Sequence, residues 1–416
     1  MPAKLRSRPG SVTIAVLGVS VLVTIMGVGG LVAAHAQRRH VESSLQARRS
    51  QALARSAIEL GRTAIASDPN WRANTKHNQW SDPLTLDGGT LRWKVLDESD
   101  GDLTNNSIDS IRLFGLGSSG QATQVASVQF STARTSYTSL GCALHAAGQV
   151  TVRSGAAVTA LQSTVSSNGT ISNSGTIYGS TDSLLYAGLG VVTGTKTVAA
   201  LSKPFPPSSV ITDYTARATP IAPGGTLEKV VLSPTSNPFG AVNPNGVYVI
   251  NPSSNLTIRD VRVSGTLIIN CPGKKVTIDR AVLFQPANRN FPTLIVNGDL
   301  QLAGTASTPL LESAVATNFN PPAAPYGGAS DSDTADSYPN ELQGLVHVTG
   351  SLEVSGSARI RGLVLVQSAS LVGAVDVSGS LEIVYDKSLA SAPPEGYASS
   401  ISLVVAPASW RREPAP

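Results

Sequence analysis

The period of the apolar positions changes along the chain. Between Arg8 and His35 no residue is charged, and residues 11–34 (SVTIAVLGVSVLVTIMGVGGLVAA) form one apolar run. As a helix that run spans about 36 Å, against roughly 30 Å of bilayer hydrocarbon. A secretory signal peptide has a shorter apolar core of about 7–15 residues, so the length points to a retained anchor, although Ala33-Ala34-His35-Ala36 could serve as a cleavage site. From Ala36 to Ser67 there is no proline and one glycine, Gly61, while Val41, Leu45, Leu53, Ala57, Leu60 and Ala64 recur at helical spacing. One continuous transmembrane and amphipathic helix is expected over 11–67, stopped by Asp68-Pro69.

Beyond the hinge at 68–83 the period falls to two. Residues 89–95, 108–115 and 121–130 alternate around the turns DESDGD (97–102) and GSSG (117–120), which predicts a small three-stranded antiparallel meander within 68–135. After about residue 136 short Val/Ile/Leu runs are punctuated by Gly, Ser and Asn, and a motif recurs: VSGTL (263–267), VTGSL (348–352), VSGSA (354–358) and VSGSL (377–381). Short strands without room for crossover helices suit a parallel β-helix-like solenoid, with a β-sandwich as the alternative. Its segments are expected at 136–199 and 226–398. A Pro-rich strap or linker at 200–225 separates them, a long acidic loop fills 310–343, and a C-terminal tail covers 399–416. The fold class is therefore mainly β, carried behind a long N-terminal helix.

Composition agrees, with 38 Gly and 26 Pro for frequent turns and only 5 % aromatic residues to line pockets. The net charge of +4 is uneven: residues 1–72 carry ten Lys/Arg against three Asp/Glu, leaving 21 against 24 elsewhere. The basic excess belongs to the N-terminal segment and gives no ground for a nucleic-acid partner. Cys142 and Cys271 are too few for a disulfide framework or a paired zinc motif; one bridge and two isolated thiols both fit.

A short basic leader (Lys4, Arg6, Arg8) ending in Gly10, followed by an uncharged helix from Ser11 that continues as an amphipathic one, resembles the type IV pilins and type II secretion pseudopilins. The run SVTIAVLGVSVLVTIMGVGGLVAAHAQRRH resembles the minor, PilX-like and GspK-like members. That resemblance covers about 70 residues. It implies that a prepilin peptidase cuts between Gly10 and Ser11 and methylates the new terminus. It also implies a single-pass inner-membrane protein with a cytoplasmic N-terminus and a periplasmic or surface C-terminal region. The lipid bilayer and other pilin or pseudopilin subunits would be its partners. Major pilins begin with an aromatic residue or Met and carry Glu at the fifth mature position, where this chain has Ser11 and Ala15. A missing glutamate is familiar in the K-type minor pseudopilin, which favours a tip or priming role. The phrases NGVYVINPSSNLTIRDVRVSGTLII, NFNPPAAPY and GLVHVTGSLEV are similar to those of PilX-like surface proteins of planctomycete-type bacteria, and imply no chemistry. A signal-anchored surface β-helix, structural or binding surface polysaccharide and unrelated to pili, is the alternative.

Candidate chemistry is sparse. Asp331, Asp333 and Asp336 form a D-x-D-x-x-D run that could gather on a calcium ion or stay a solvated, mobile acidic loop; the EF-hand pattern is not met. DESDGD invites the same two readings. A carbohydrate-active β-helix would need carboxylates and Lys/Arg on one face of the coils. The charges at Arg259-Asp260, Asp279-Arg280 and Arg359/Arg361 have mostly small or apolar neighbours, and His35, His40, His77, His145 and His347 sit in no catalytic motif. No enzyme and no resident cofactor are expected.

Overall fold

The computed structural model describes residues 9–68, 71–104 and 109–414, with only the backbone of 9–11. The basic leader before Pro9, the stop residue Pro69 and the expected strand start at Ile108 fall outside the described residues. The chain divides into two compact units, Met1–Ala133 with Ser402–Pro416, and Arg134–Ile401.

The first unit begins with helix α1 (Pro9–Ser67), unbroken as its composition predicts. Four antiparallel strands follow: β1 (Leu84–Leu86), β2 (Gly89–Asp97), β3 (Ile111–Ser119) and β4 (Ala122–Ser136). Their order in the sheet is sequential: β2 to β4 are the three-stranded meander expected from the alternation, with Val95 opposite Leu113 and Leu113 opposite Val128, and β1 adds a fourth strand beside β2. Leu91, Val95, Ile111, Leu113, Val128 and Phe130 point to the buried face. Residues expected to be a tail return to this sheet instead. The strand Ala398–Val405 lies next to β4 in the sheet order, and Arg411–Glu413 pairs with β4 through Arg411 and Ser127. The pairing is locked where Ser127 Oγ donates to Glu413 Oε1 at 2.6 Å.

The second unit is a parallel β-solenoid built from inward columns of aliphatic side chains. One column runs Leu256, Val276, Leu300, Leu352, Val375, Val150, Ile171, each residue in register with the next. Every member is at most 1 % exposed, so each coil buries its apolar residue between two neighbours. Polar ladders run outside. Asn270 Nδ2 donates to Asn251 Oδ1 at 3.1 Å, Asn297 Nδ2 to Asn270 Oδ1 at 2.7 Å and Thr349 Oγ1 to Asn297 Oδ1 at 3.0 Å. The recurring V-[ST]-G-[ST] motif marks coil corners where backbones stack: a Cβ added at Gly379 would collide with the carbonyl oxygen of Gly356.

Spatial order departs from chain order. The chain enters mid-stack at Leu144–Ala146, winds outward to Lys196–Val198, and crosses through residues 200–218 to the opposite end at Thr219–Leu232. It then winds back until Val364–Val366 and Ser380–Glu382 pair with the entry coil. The two solenoid segments are thus one stack. The Pro-rich stretch between them is a strap carrying a helix, Ser209–Arg217.

Candidate functional site

Helix α1 has two halves of different character. Among the described residues it is the one helix long and apolar enough to cross a membrane, with none of its most apolar window buried. From Val12 to Ser44 every residue is exposed. Burial begins at Ser50 and follows the stripe Leu53, Ala54, Ala57, Ile58, Gly61 and Ile65, which packs on β2 and β3. The stripe differs from the expected one. Val41 and Leu45 are 50 % and 59 % exposed, and Ala54 and Ile58 take the inward positions. The contact is close because β3 supplies glycines: a Cβ at Gly115 would overlap the carbonyl oxygen of Ala54, and one at Gly117 that of Ser50. Gly10 and Ser11 lie in the first turn of the helix backbone.

Three polar clusters stand out among the described residues. Near the DESDGD turn, Asp97, Asp100 and Asp109 each offer an oxygen within 4.8 Å of the others. The cluster has a resident cation: Arg72 lies 3.9 Å from the fully buried Asp97 carboxylate and donates to the carbonyl oxygens of Leu103 and Asp109 at 3.3 and 2.8 Å.

Side-chain amides hold part of the acidic loop. Asp331 and Asp336 share the amide of Asn320, which donates to them at 3.4 and 2.8 Å, while exposed Asp333 accepts only the Ala335 N–H of its own turn. Amide donors thus bring two of the three carboxylates together and leave the third apart. Beneath them the buried Glu312 accepts the N–H of Asp336 at 3.1 Å and the Tyr338 hydroxyl at 2.9 Å, and burial with this carboxylate pushes the Tyr338 phenol pKa upward. Arg262, 2 % exposed, donates to the carbonyls of Phe319, Ala324 and Pro325 and lies 5.2 Å from the Tyr326 ring.

Sequence reasoning missed the third cluster. His145 Nδ1 lies 2.9 Å from Ser166 Oγ, Lys203 Nζ donates to the same oxygen at 2.9 Å, and Lys203 is ion-paired with Asp182. These residues come from separate coils and the strap, so no linear motif links them. The histidine stacks on Phe205 at 4.7 Å, and burial, then the Lys203 charge, push its pKa down to about 4. A neutral ring accepts from Ser166, which in turn accepts from Lys203. Ser166 and His145 are 1 % and 0 % exposed, so this arrangement is closed to substrate and serves packing. Cys142 and Cys271 are both buried free thiols, and burial raises the pKa of each. The strand-edge charges pair between coils: Arg259 with Glu228 at 2.7 Å, Arg280 with Asp260 at 3.3 Å, and Arg359 with Glu341 and Glu382 at 3.6 Å.

The chain matches no protein family and none of the curated proteins. Among solved structures it is similar to the competence-associated pilin ComZ from Thermus thermophilus, with 11 % identity and a TM-score of 0.30. The match spans 88 % of this chain and 98 % of that one. A likeness this loose transfers neither fold nor role.

Proposed function

We propose that the chain is a non-catalytic, membrane-anchored minor pilin- or pseudopilin-like component of an envelope filament or secretion machine, with the β-solenoid as its structural or adhesive head. The observation that carries this reading is the division of α1. An exposed apolar half long enough for a bilayer continues without a break into a half whose stripe, Leu53 to Ile65, is packed on an antiparallel meander. Such a helix can sit in the membrane before assembly and exchange lipid for the helices of neighbouring subunits afterwards, because both surround it with apolar surface. The leader would lie on the cytoplasmic side and be cut after Gly10. The closed His145–Ser166 cluster supports a head without chemistry. Mass spectrometry of the N-terminus from the native host, with and without its prepilin peptidase, tests the reading. A methylated Ser11 start that depends on the peptidase is expected; an intact Met1 or Pro2 start in both strains would instead mark a plain signal-anchored surface protein.

A further inference from the structure

The two ends of the solenoid are built differently. At the end that begins with Thr219–Leu232, Pro220 interrupts one edge and Glu228 and Lys229 charge another. Residues 233–245 fold over that end, with Phe239 packed against the core cluster. Pro and charges on an edge, and a covering segment, are the usual means of keeping strand edges from pairing.

The opposite end carries one such charge, Lys196, and no proline between Leu184 and Leu201. Its terminal coil consists of Leu185–Ala187, Val191–Val192 and Lys196–Val198, each bonded to the preceding coil on one side. Lys196 is the one charged residue between Leu184 and Leu201, and its ammonium folds 3.8 Å over the Tyr186 ring. Leu184, Leu185, Leu189, Val191, Val198 and Leu201 are 49–102 % exposed.

Backbone geometry defines what fits there. Thr195 O accepts from Thr181 N, and Ala199 N donates to Leu184 O, so the odd-numbered residues of the edge turn their backbone groups inward. By the alternation of a strand, the N–H and C=O of Lys196 and Val198 face outward. We infer that this end is capped by the same end of a second copy, related by a two-fold axis through Thr197, with the two Lys196–Val198 edges paired antiparallel. Lys196 then lies opposite Val198 of the other copy and donates and accepts its backbone bonds, and no two lysines face one another. Thr197 meets Thr197 as a non-hydrogen-bonded pair, with Cα atoms about 4.5 Å apart. The closed far end prevents head-to-tail stacking, so same-end pairing closes as a dimer.

The test uses the full chain in detergent micelles. Thr197→Cys should form an intermolecular disulfide under mild oxidation, because about 4.5 Å is within disulfide reach, whereas Thr226→Cys at the capped end should not. Val198→Pro, which removes only an outward N–H, should abolish the Thr197→Cys cross-link and return the light-scattering mass from dimer to monomer. A monomeric wild-type chain overturns the proposal. So does a dimer that survives Val198→Pro, the result expected if α1 alone associates, or a Thr197→Cys cross-link to a different protein in the native host.

Discussion

Gly115 of β3 passes so near the carbonyl of Ala54 that the helix and sheet backbones touch with no side chain between them. Gly115→Val should therefore lift α1 from the sheet, at a cost of about 2 kcal/mol typical of overpacking. Hydrogen exchange checks it. Amides of residues 50–65 and of β3 should lose protection while those of the solenoid columns keep theirs, and unchanged protection at 50–65 would refute the contact.

His145 and His347 are both fully buried with pKa values pushed down to about 4, chiefly by burial. The folded state keeps them neutral, whereas the unfolded chain protonates them near pH 6.5. Stability is therefore fully present above about pH 6.5 and falls as the pH drops toward 4. The two together set a slope of about 2.7 kcal/mol per pH unit within that window. Replacing His347 with Gln should halve the slope in denaturant titrations at pH 5 to 6; an unaltered slope would place the acid sensitivity elsewhere.

Arg262 is the cation that organises the loop over Phe319–Pro325. Arg262→Met keeps the stem and removes the donors, leaving buried carbonyls unpaired at a cost of roughly 3 kcal/mol. Limited proteolysis should then nick the chain within 312–338 in the variant and leave that segment intact in the wild type; equal cleavage of both would refute the role of Arg262.

Calcium should not be needed there. Asn320 already donates to Asp331 and Asp336, and Asp333 is turned to solvent. The thermal midpoint of the full chain is expected to be the same in millimolar calcium and in EDTA. A rise of several degrees that vanishes in Asp336→Asn would show a bound cation instead.

Local signals were legible in the sequence. The apolar run over 11–34 and the absence of breakers to Ser67 gave α1, and period-two alternation gave the meander. The V-[ST]-G-[ST] repeats gave the solenoid, because each is a local requirement of one coil corner. Long-range partners were not legible. Val364 beside Leu144, Arg411 beside Ser127, and Lys203 reaching Ser166 from a strap that reads as a linker leave no periodic trace, since pairing depends on which coil stacks on which. The helical stripe was misjudged for a related reason. Val41 and Leu45 have the right spacing, but the sheet covers α1 only from Ser50 onward.

The mid-stack entry of the chain bears on how the protein is made. Leu144 leaves the ribosome some 220 residues before its neighbour Val364, an interval on the order of ten seconds or more at about 5–20 residues per second. Through that interval the coil from Leu144 to Val198 has one unpaired flank, and β4 waits longer still for Arg411–Glu413. A nascent chain stalled or clipped before residue 360 would thus present two open strand edges at once, each free to pair with another chain.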